Sequence, residues 1–193
     1  MSNFASRYDR IYKEVIENTE LDAQSLPYLT RVVKESLRLS MANPNRFPRS
    51  RLPNIPAGTS VGAGAFMLHH NPEVFPEPHQ FMPERWLNPS QEMLRDSFYF
   101  GDGSRQCIAR NLVSAGLWWA AEALIRSDVL RGAKVVRDKI EIVEWFNAKI
   151  VGEKIELRCE QCQGTCLYKT LWDAACSFAW YISLEGKKTR DLE

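Results

Sequence analysis

The sequence predicts a mainly α-helical fold with small β-sheets, an α+β architecture. Apolar residues recur at helical spacing in three segments, residues 8–16, 28–39 and 108–126. Two stretches near the C-terminus, residues 138–144 and 154–158, alternate apolar and charged residues, which is typical of the strands of a hairpin. Long helices therefore dominate the predicted fold, and a few short strands accompany them.

Composition excludes several classes of protein. The chain has 193 residues, of which 45% are hydrophobic and 25% charged, and this balance indicates a soluble globular protein. A net charge of +1 without a basic block predicts no binding to nucleic acid or to an anionic membrane surface. We expect no membrane span and no signal peptide, because no run of about 18 apolar residues occurs. Five cysteines without a secretory signal favour a reducing, intracellular compartment.

The first two predicted helices follow one another closely. The first covers residues 1–20, and Ser25 and Pro27 then supply the expected N-cap and first-turn proline of the second, which runs over residues 28–39. Residues predicted to face the core share the helical spacing of each segment. In the first helix they are Tyr8, Ile11, Tyr12, Val15 and Ile16, and in the second Leu29, Val32, Val33, Ser36 and Leu37.

Residues 100–109, Phe-Gly-Asp-Gly-Ser-Arg-Gln-Cys-Ile-Ala, place Cys107 where the third helix is predicted to begin. Unpaired helix amides and the positive end of the helix dipole stabilise a thiolate there. Gly101 and Gly103 allow a sharp turn and the close approach of a flat ligand. Arg105 offers a bidentate donor to a carboxylate. A thiolate, a tight turn and an anion clamp are together what a heme requires on one side.

Two expectations concern the third helix. Its buried face is predicted from the spacing of apolar and small residues after the cysteine, and consists of Ile108, Leu112, Gly116, Leu117, Ala120, Ala121 and Leu124. The two neighbouring tryptophans, at positions 118 and 119, are both expected to pack in the core. The alternative for Cys107 itself, taken alone, is a buried and inert small apolar residue.

The cysteine stretch resembles the cysteine-ligand loop of the cytochrome P450 superfamily, Phe-x-x-Gly-x-Arg-x-Cys-x-Gly. Phe100, Gly103, Arg105 and Cys107 match it, whereas Ala109 stands where the family has its last glycine. The resemblance implies that Cys107 is the axial ligand of a heme iron. It also implies that the loop residues at 100, 101, 103 and 105 surround the heme.

Glu35 and Arg38 lie three residues apart, on one face of the second helix, where they can pair. An isolated pair of this kind is typically solvated and contributes little. Residues 34–39 and 81–86, however, resemble the family's Glu-x-x-Arg helix and Pro-Glu-Arg segment. The resemblance implies a buried structural cluster of Glu35, Arg38 and Arg85 that locks the loop leading to the cysteine, since one carboxylate between two guanidinium groups is a directional lock.

The segment between these motifs is predicted to be irregular or an edge strand over residues 41–53, followed by a strand over 60–67 and a loop over 88–99. By the resemblance, Arg49 contacts a second heme propionate, and Arg46 or Phe47 faces the substrate. Solvated surface arginines are the alternative for both positions. His69 and His70 are expected to be structural, because neighbouring histidines on a strand point to opposite faces.

The resemblance implies a heme-thiolate monooxygenase that inserts one oxygen atom from O2 into an organic substrate. Its cofactor is heme b, iron protoporphyrin IX, and its electrons come from NADPH through a reductase that docks on the proximal face. The substrate is expected to be a small hydrophobic molecule of fungal secondary metabolism, a terpenoid or a polyketide. Association with the endoplasmic reticulum is expected for full-length members, although this chain contains no anchor.

The resemblance covers residues 8–158 and corresponds to the C-terminal portion of the family fold. The N-terminal half, including the distal oxygen-activating helix, is expected to be absent, so no catalytic residue is predicted beyond the heme ligand. We expect two regions: residues 1–158 as the P450 portion and residues 159–193 as an unmatched tail. The tail's Cys-x-x-Cys-x-x-x-Cys spacing admits a metal site but fits no standard zinc or iron–sulfur pattern. The alternative function is a non-catalytic remnant that acts as a heme-binding or interaction module.

Overall fold

The computed structural model describes residues 2–40, 47–49, 54–56, 58–135, 142–143, 149–150, 156–158 and 165–167. Within these residues helices predominate and strands are short, as the sequence predicts. The helices are α1 (Ser2–Glu17), α2 (Pro27–Leu39), α3 (Ala65–His69), α4 (Gln91–Asp96) and α5 (Arg110–Arg126). The strands are β1 (Phe47–Arg49), β2 (Val61–Ala63), β3 (Lys134–Val135), β4 (Ile142–Val143), β5 (Lys149–Ile150), β6 (Glu156–Arg158) and β7 (Thr165–Leu167).

The core lies where α1, α2 and α5 pack against one another. All five residues predicted to be inward on α2 are buried. On α1, which ends at Glu17 rather than residue 20, Ile11 and Val15 are buried but Ile16 is exposed. Ile16 points away because it follows Val15 by one residue, about 100° around the helix. None of the helices in the described ranges is long and apolar enough to cross a bilayer.

The start of α2 differs from the prediction. Ser25 lies in a short 3-10 turn, Ala23–Ser25, and the N-cap residue is Leu26, whose side chain caps nothing. Glu14 of α1 replaces the missing cap, since its carboxylate accepts hydrogen bonds from the amides of Tyr28 (2.8 and 3.0 Å) and Leu29 (2.8 Å). A negative charge at this position also complements the positive end of the helix dipole.

Glu14→Ala is expected to lower the free energy of unfolding by about 1–3 kcal/mol, because it leaves two helix amides without their charged acceptor. Urea unfolding followed by far-UV circular dichroism measures the change. Glu17→Ala on the same helix is the matched control, since the exposed ion pair of Glu17 with Lys13 contributes little. Equal effects of the two substitutions would contradict the role of Glu14 as a cap.

The buried face of α5 also differs from the prediction. Ala121 of the predicted face is buried, and Leu117 packs partly against the core. Trp118 and Ile125, outside that face, are buried as well, whereas Ile108 is 103% exposed and Leu112 lies in solvent. The buried positions are separated by three and four residues, and they pack on α1 and α2. A helix with apolar residues on more than one face offers several stripes of this period, so spacing alone could not select the one that packs.

The two tryptophans of α5 have different environments. Trp118 is 8% exposed, and its indole N–H donates to the hydroxyl oxygen of Thr30 at 2.9 Å. Trp119 is 58% exposed and donates to Asp22 at 3.3 Å, so the expectation that it packs in the core was wrong. Trp119 follows Trp118 by one residue, about 100° around the helix, and at this position the helix turns its side chain towards solvent.

Residues 47–69 form an antiparallel pair of strands followed by a helix. β1 and β2 pair with Phe47 opposite Ala63 and Arg49 opposite Val61, in agreement with an edge strand in the segment 41–53. The strand predicted over residues 60–67 ends at Ala63, because α3 begins at Ala65. His69 is therefore on a helix rather than a strand.

The segment 88–99, predicted to be a loop, is partly helical. It contains the helix α4, and the hydroxyl oxygen of Ser90 caps this helix by accepting a hydrogen bond from the amide of Met93 at 3.1 Å. Ser, Asp and Asn are favoured at such N-cap positions. The helix has only six residues, too few for a sustained period in the sequence.

The C-terminal strands pair differently from the predicted hairpin. β4 pairs with β5, whereas β6 pairs with β3 on one side and with β7 on the other, all antiparallel. Alternation marks strands but does not select their partners or register. β7 lies in the predicted tail, of which residues 159–164 and 168–193 are outside the described residues. The division of the chain after residue 158 stays a prediction.

Candidate functional site

The stretch of residues 100–109, here called the cysteine loop, is closed by a hydrogen bond of its own backbone. The amide of Cys107 donates to the carbonyl oxygen of Phe100 at 2.8 Å, which fixes the two ends of the loop. Gly101 and Gly103 have φ angles of 71° and 67°, in the left-handed region that favours glycine. The tight turn predicted from the two glycines is therefore confirmed, and the thiol of Cys107 is exposed at its end.

The first turn of α5 begins three residues after the cysteine. The helix begins at Arg110, with Ala109 at the N-cap position, rather than at residue 108. The carbonyl oxygen of Cys107 accepts from the amide of Arg110 at 3.2 Å, and the carbonyl oxygen of Ala109 accepts from the amide of Val113 at 2.8 Å. Ala109 has a φ of −87°, which alanine adopts without strain, so its difference from the family pattern does not disturb this turn.

The residues around the thiol fit one face of a heme. Two exposed apolar side chains come shortly after Cys107 in the sequence, Ile108 one residue and Leu112 five residues later. At Gly103 no atom lies within 4 Å of the position that a Cβ would occupy, which leaves space for a flat group to approach. A soft thiolate is also a known axial ligand of heme iron.

Two of the predicted propionate ligands lie only partly within the described structure. The backbone of Arg105 belongs to the 3-10 turn Gly103–Arg105, and that of Arg49 belongs to β1, but their side chains are outside the described residues. Arg46 is outside them entirely. The anion-clamp roles of Arg105 and Arg49 stay predictions. In the part of the chain that the structure describes, no group of three or more His, Cys, Asp or Glu side chains is arranged to hold a metal ion.

Glu35, on α2, is the centre of a buried polar cluster. Its side chain is 0% exposed, and its two oxygens accept five hydrogen bonds. Arg38 donates two of them at 2.9 and 3.0 Å, and Arg85 donates one at 3.1 Å. The amide of Met82 (3.0 Å) and the indole N–H of Trp86 (2.8 Å) complete the set. The structure thus brings together the three charged residues named from the sequence.

Arg38 joins this cluster to the chain that follows β2. All five of its N–H bonds have acceptors, and the side chain is fully buried. Besides Glu35, it donates to the backbone carbonyls of His69 (2.7 Å), Pro78 (2.7 Å) and Gln80 (3.3 Å). A guanidinium group provides these donors in a fixed plane, so the cluster holds the segment 69–80 against α2.

Arg85 and Trp86 hold the next segment in the same way. Arg85 donates to the carbonyls of Pro76 at 2.9 Å and Glu77 at 3.3 Å as well as to Glu35. Trp86 is buried, and its only polar atom is paired with Glu35. The carboxylate of Glu35 therefore joins α2 to the turn Pro83–Trp86 through both residues.

His69 connects the cluster to the cysteine loop. Its carbonyl accepts from Arg38, and its ring Nε2 accepts from the amide of Phe98 at 2.9 Å. Phe98 lies two residues before Phe100, the residue that closes the cysteine loop. Because His69 is fully buried, desolvation lowers its pKa to about 4 and keeps the ring neutral, as an acceptor must be. The expectation that His69 is structural agrees with this contact.

We expect the free energy of unfolding to fall as the pH decreases through the range in which His69 gains a proton. The folded pKa of about 4 lies below the unfolded value of 6.5, so the unfolded state binds the extra proton between these pH values. The contribution is fully present above about pH 6.5 and is lost towards pH 4, up to about 3 kcal/mol in total. Urea unfolding between pH 4 and pH 7 measures this.

The matched variant for this titration is His69→Gln, which is neutral at every pH and keeps an oxygen acceptor for the amide of Phe98. The difference between the parent and the variant isolates His69 from the other titrating groups. The free energy of unfolding of the variant is expected to depend less steeply on pH, by about the uptake of one proton between pH 4 and pH 6.5. An unchanged slope would contradict the buried neutral state of His69.

Sequence reasoning missed several contacts of this site, and two of them involve side chains that it could have considered. The first is Trp86, whose signal was available, because a buried indole N–H needs an acceptor and Trp86 directly follows Arg85. The second is the bond from Phe98 to His69, which joins residues 29 positions apart in the chain. Neither spacing nor composition identifies such a pair.

Comparison with known proteins gives the family. The family model of cytochrome P450 matches residues 8–115, more than half of the chain. This range contains Glu35, Arg38, Arg85 and Cys107, so the match includes both the buried cluster and the cysteine loop.

The chain is similar to several fungal proteins. It is 42% identical over 152 residues to the cytochrome P450 monooxygenase mfmF of Annulohypoxylon moriforme, covering 70% of this chain and 31% of that protein. It is 39% identical over 117 residues to claJ of Penicillium crustosum, covering 55% and 27%. It is 36% identical over 134 residues to the N-acetyltryptophan 6-hydroxylase ivoC of Emericella nidulans, covering 64% and 26%. The chain therefore spans between about a quarter and a third of these relatives.

A solved structure has the same fold. The retinoic acid bound cyanobacterial CYP120A1 matches with a TM-score of 0.54 and 20% sequence identity, over 75% of this chain and 36% of that one. This likeness extends over more of the chain than the family model does. Together, the family model, the fungal relatives and the shared fold show that this chain belongs to the cytochrome P450 family.

Proposed function

We propose that this chain provides the thiolate side of a heme-thiolate monooxygenase that inserts one oxygen atom from O2 into an organic substrate. The observation that carries the proposal is the position of Cys107. Its thiol is exposed at the end of a closed loop, and that loop is joined through Phe98 and His69 to the buried cluster of Glu35 and Arg38.

Each part of this arrangement has a role in the proposed site. Cys107 would hold the iron of heme b through its sulfur, and Phe100, Gly101 and Gly103 would shape the surface beside it. Arg105 and Arg49 would hold the heme propionates. When bound, the heme would supply oxygen activation, which a thiolate ligand favours. Glu35, Arg38 and Arg85 act by positioning, because they keep the loop from moving relative to α2.

We further propose that the chain corresponds to the C-terminal portion of the family fold. The order of the motifs supports this: the Glu-x-x-Arg helix comes first, then the Pro-Glu-Arg turn, then the cysteine loop and α5. The chain spans about a third of the length of mfmF. The helix that faces the open side of the heme would then come from outside this chain.

The proposed partners follow from membership of the cytochrome P450 family. We propose that electrons come from NADPH through a reductase on the proximal face, and that full-length forms associate with the endoplasmic reticulum. The substrate class is a small hydrophobic product of fungal secondary metabolism, a terpenoid or a polyketide. Among the relatives, mfmF is named as a monooxygenase and ivoC as an N-acetyltryptophan 6-hydroxylase, which supports a small organic substrate.

A second candidate function is a heme-binding or interaction module without catalysis. The observation that favours it is the exposure of the ligand side of the loop, where Cys107, Ile108 and Leu112 are all open to solvent. A heme bound there by this chain alone has solvent on its other face. Such exposure favours loss of the cofactor and oxidation over controlled turnover.

One experiment separates the two candidates. The full chain is loaded with hemin and mixed with NADPH and a fungal P450 reductase, and NADPH and O2 consumption are recorded for the parent and for Cys107→Ser. Consumption that depends on both the reductase and Cys107 supports the monooxygenase site. Hemin uptake without such consumption supports the heme-binding module, and absence of specific uptake contradicts both.

A further inference from the structure

A cavity of about 250 Å³ lies between α2, the turn Pro83–Trp86, α4, the cysteine loop and α5. Cys107 is not among the residues that line it, so the cavity does not face the thiol. Its volume is below the 300–1,000 Å³ that is typical of pockets for drug-sized ligands. A ligand of this cavity must therefore be small.

The charged residues among the described residues that line the cavity are both basic. Lys34 enters from α2 and Arg110 from the first turn of α5, and none of the described lining residues is Asp or Glu. Among the described residues, neither cation forms an ion pair with a carboxylate. Two positive charges that face one small cavity without an acid favour an anionic ligand.

Uncharged polar side chains also line the cavity, and each of them can donate a hydrogen bond. Tyr99 and Gln106 are among them, and the described residues provide neither side chain with a hydrogen-bond partner. Burial raises the pKa of Tyr99, against the opposing charge of Arg110, and its O–H therefore stays available to donate. A carboxylate accepts several such bonds at once.

The apolar walls are mainly aromatic. Trp86, Tyr99, Phe100 and Trp118 line the cavity together with the aliphatic Leu94. The indole N–H groups of Trp86 and Trp118 already donate to Glu35 and Thr30, so these rings offer the cavity only apolar surface. Flat apolar walls beside cations select a ligand that combines a ring with a negative charge.

We propose that this cavity binds a small aromatic monocarboxylate, with its carboxylate between Lys34 and Arg110 and its ring among the aromatic walls. The ligand bridges α2, the turn Pro83–Trp86, the cysteine loop and α5. Its binding is expected to stabilise the loop that carries Cys107. The proposal does not depend on heme or on catalysis.

Benzoate is the probe for the test, and the full chain without added heme is the protein. Tryptophan fluorescence reports binding directly because Trp86 and Trp118 line the cavity, and thermal unfolding reports the stabilisation. Acetate supplies the charge without the ring, benzyl alcohol the ring without the charge, and inorganic phosphate a different anion. Benzoate is expected to bind saturably and more tightly than any of the three.

The variant Lys34→Met with Arg110→Gln is expected to bind benzoate at least about tenfold more weakly, since it removes both charge-assisted contacts. The control Lys13→Met with Arg31→Gln makes the same charge change outside the cavity lining, and it should bind as the parent does. Absence of saturable benzoate binding, or equal affinities in the two double variants, would overturn the proposal. Phosphate or acetate binding as tightly as benzoate would overturn the aromatic assignment.

Discussion

Glu35→Ala is expected to lower the free energy of unfolding by about 3–5 kcal/mol, which is the usual cost of removing one partner from a buried ion pair. The substitution strands the fully buried charge of Arg38 and removes an acceptor from Arg85. It also leaves the amide of Met82 and the indole N–H of Trp86 without partners. Since small domains are stable by only about 5–15 kcal/mol, much of the chain's stability depends on this carboxylate.

Urea unfolding followed by tryptophan fluorescence measures the effect. Glu17→Ala, which breaks an exposed ion pair with Lys13, is the control and should change stability by less than about 1 kcal/mol. Glu35→Gln keeps two polar atoms but not the charge, so its loss should lie between those of the two alanine variants. A loss in Glu35→Ala no larger than that in Glu17→Ala would show that the buried cluster does not hold the fold together.

Trp118→Ala is expected to destabilise the chain by about 3–5 kcal/mol, the range for truncating a large buried aromatic residue. Trp118 packs in the core between the helices and donates to Thr30. Its removal leaves a cavity at the contact of α5 with α2, which the surrounding helices fill only in part. Urea unfolding gives the value directly.

The neighbouring Trp119→Ala provides a control of the same residue type in the same helix. Trp119 is mostly exposed, so its substitution should change stability by about 0.5 kcal/mol or less, apart from its 3.3 Å bond to Asp22. Far-UV circular dichroism verifies that both variants remain helical. Similar losses in the two variants would mean that α5 packs through a different face from the one in the structure.

The parts of this fold that the sequence predicted are those with local signals. The inward residues of α2 follow a single helical stripe, and Pro27 marks its start. The turn at Gly101 and Gly103 followed from the freedom of glycine to adopt positive φ. The pairing of Glu35 with Arg38 followed from their separation by three residues, and Arg85 was added by the resemblance to the family.

The parts that the sequence did not predict depend on distant contacts. Glu14 caps a helix that begins 13 residues later, and nothing local distinguishes it from the other acidic residues of α1. The face of α5 was predicted only in part, because its apolar residues form more than one stripe and only packing against α1 and α2 selects between them. Strand partners near the C-terminus were wrong for a related reason, since alternation does not specify register.

These contacts explain how a thiol at the surface can be held in one place. The cysteine loop has few residues of its own in the core, yet it begins beside Phe98, whose amide is bound by the buried ring of His69. His69 in turn is bound by Arg38. A rigid base beneath an exposed ligand is what a functional site needs, because small displacements of a ligand weaken its geometry.

The measurement that tests the central claim most directly is the absorption spectrum of the full chain loaded with hemin, reduced and exposed to carbon monoxide. We expect a red-shifted Soret band typical of thiolate-ligated heme, which disappears in Cys107→Ser and persists in the control Cys176→Ser. A band typical of histidine ligation, a band that survives in Cys107→Ser, or no specific heme uptake would contradict the assignment of Cys107 as the axial ligand.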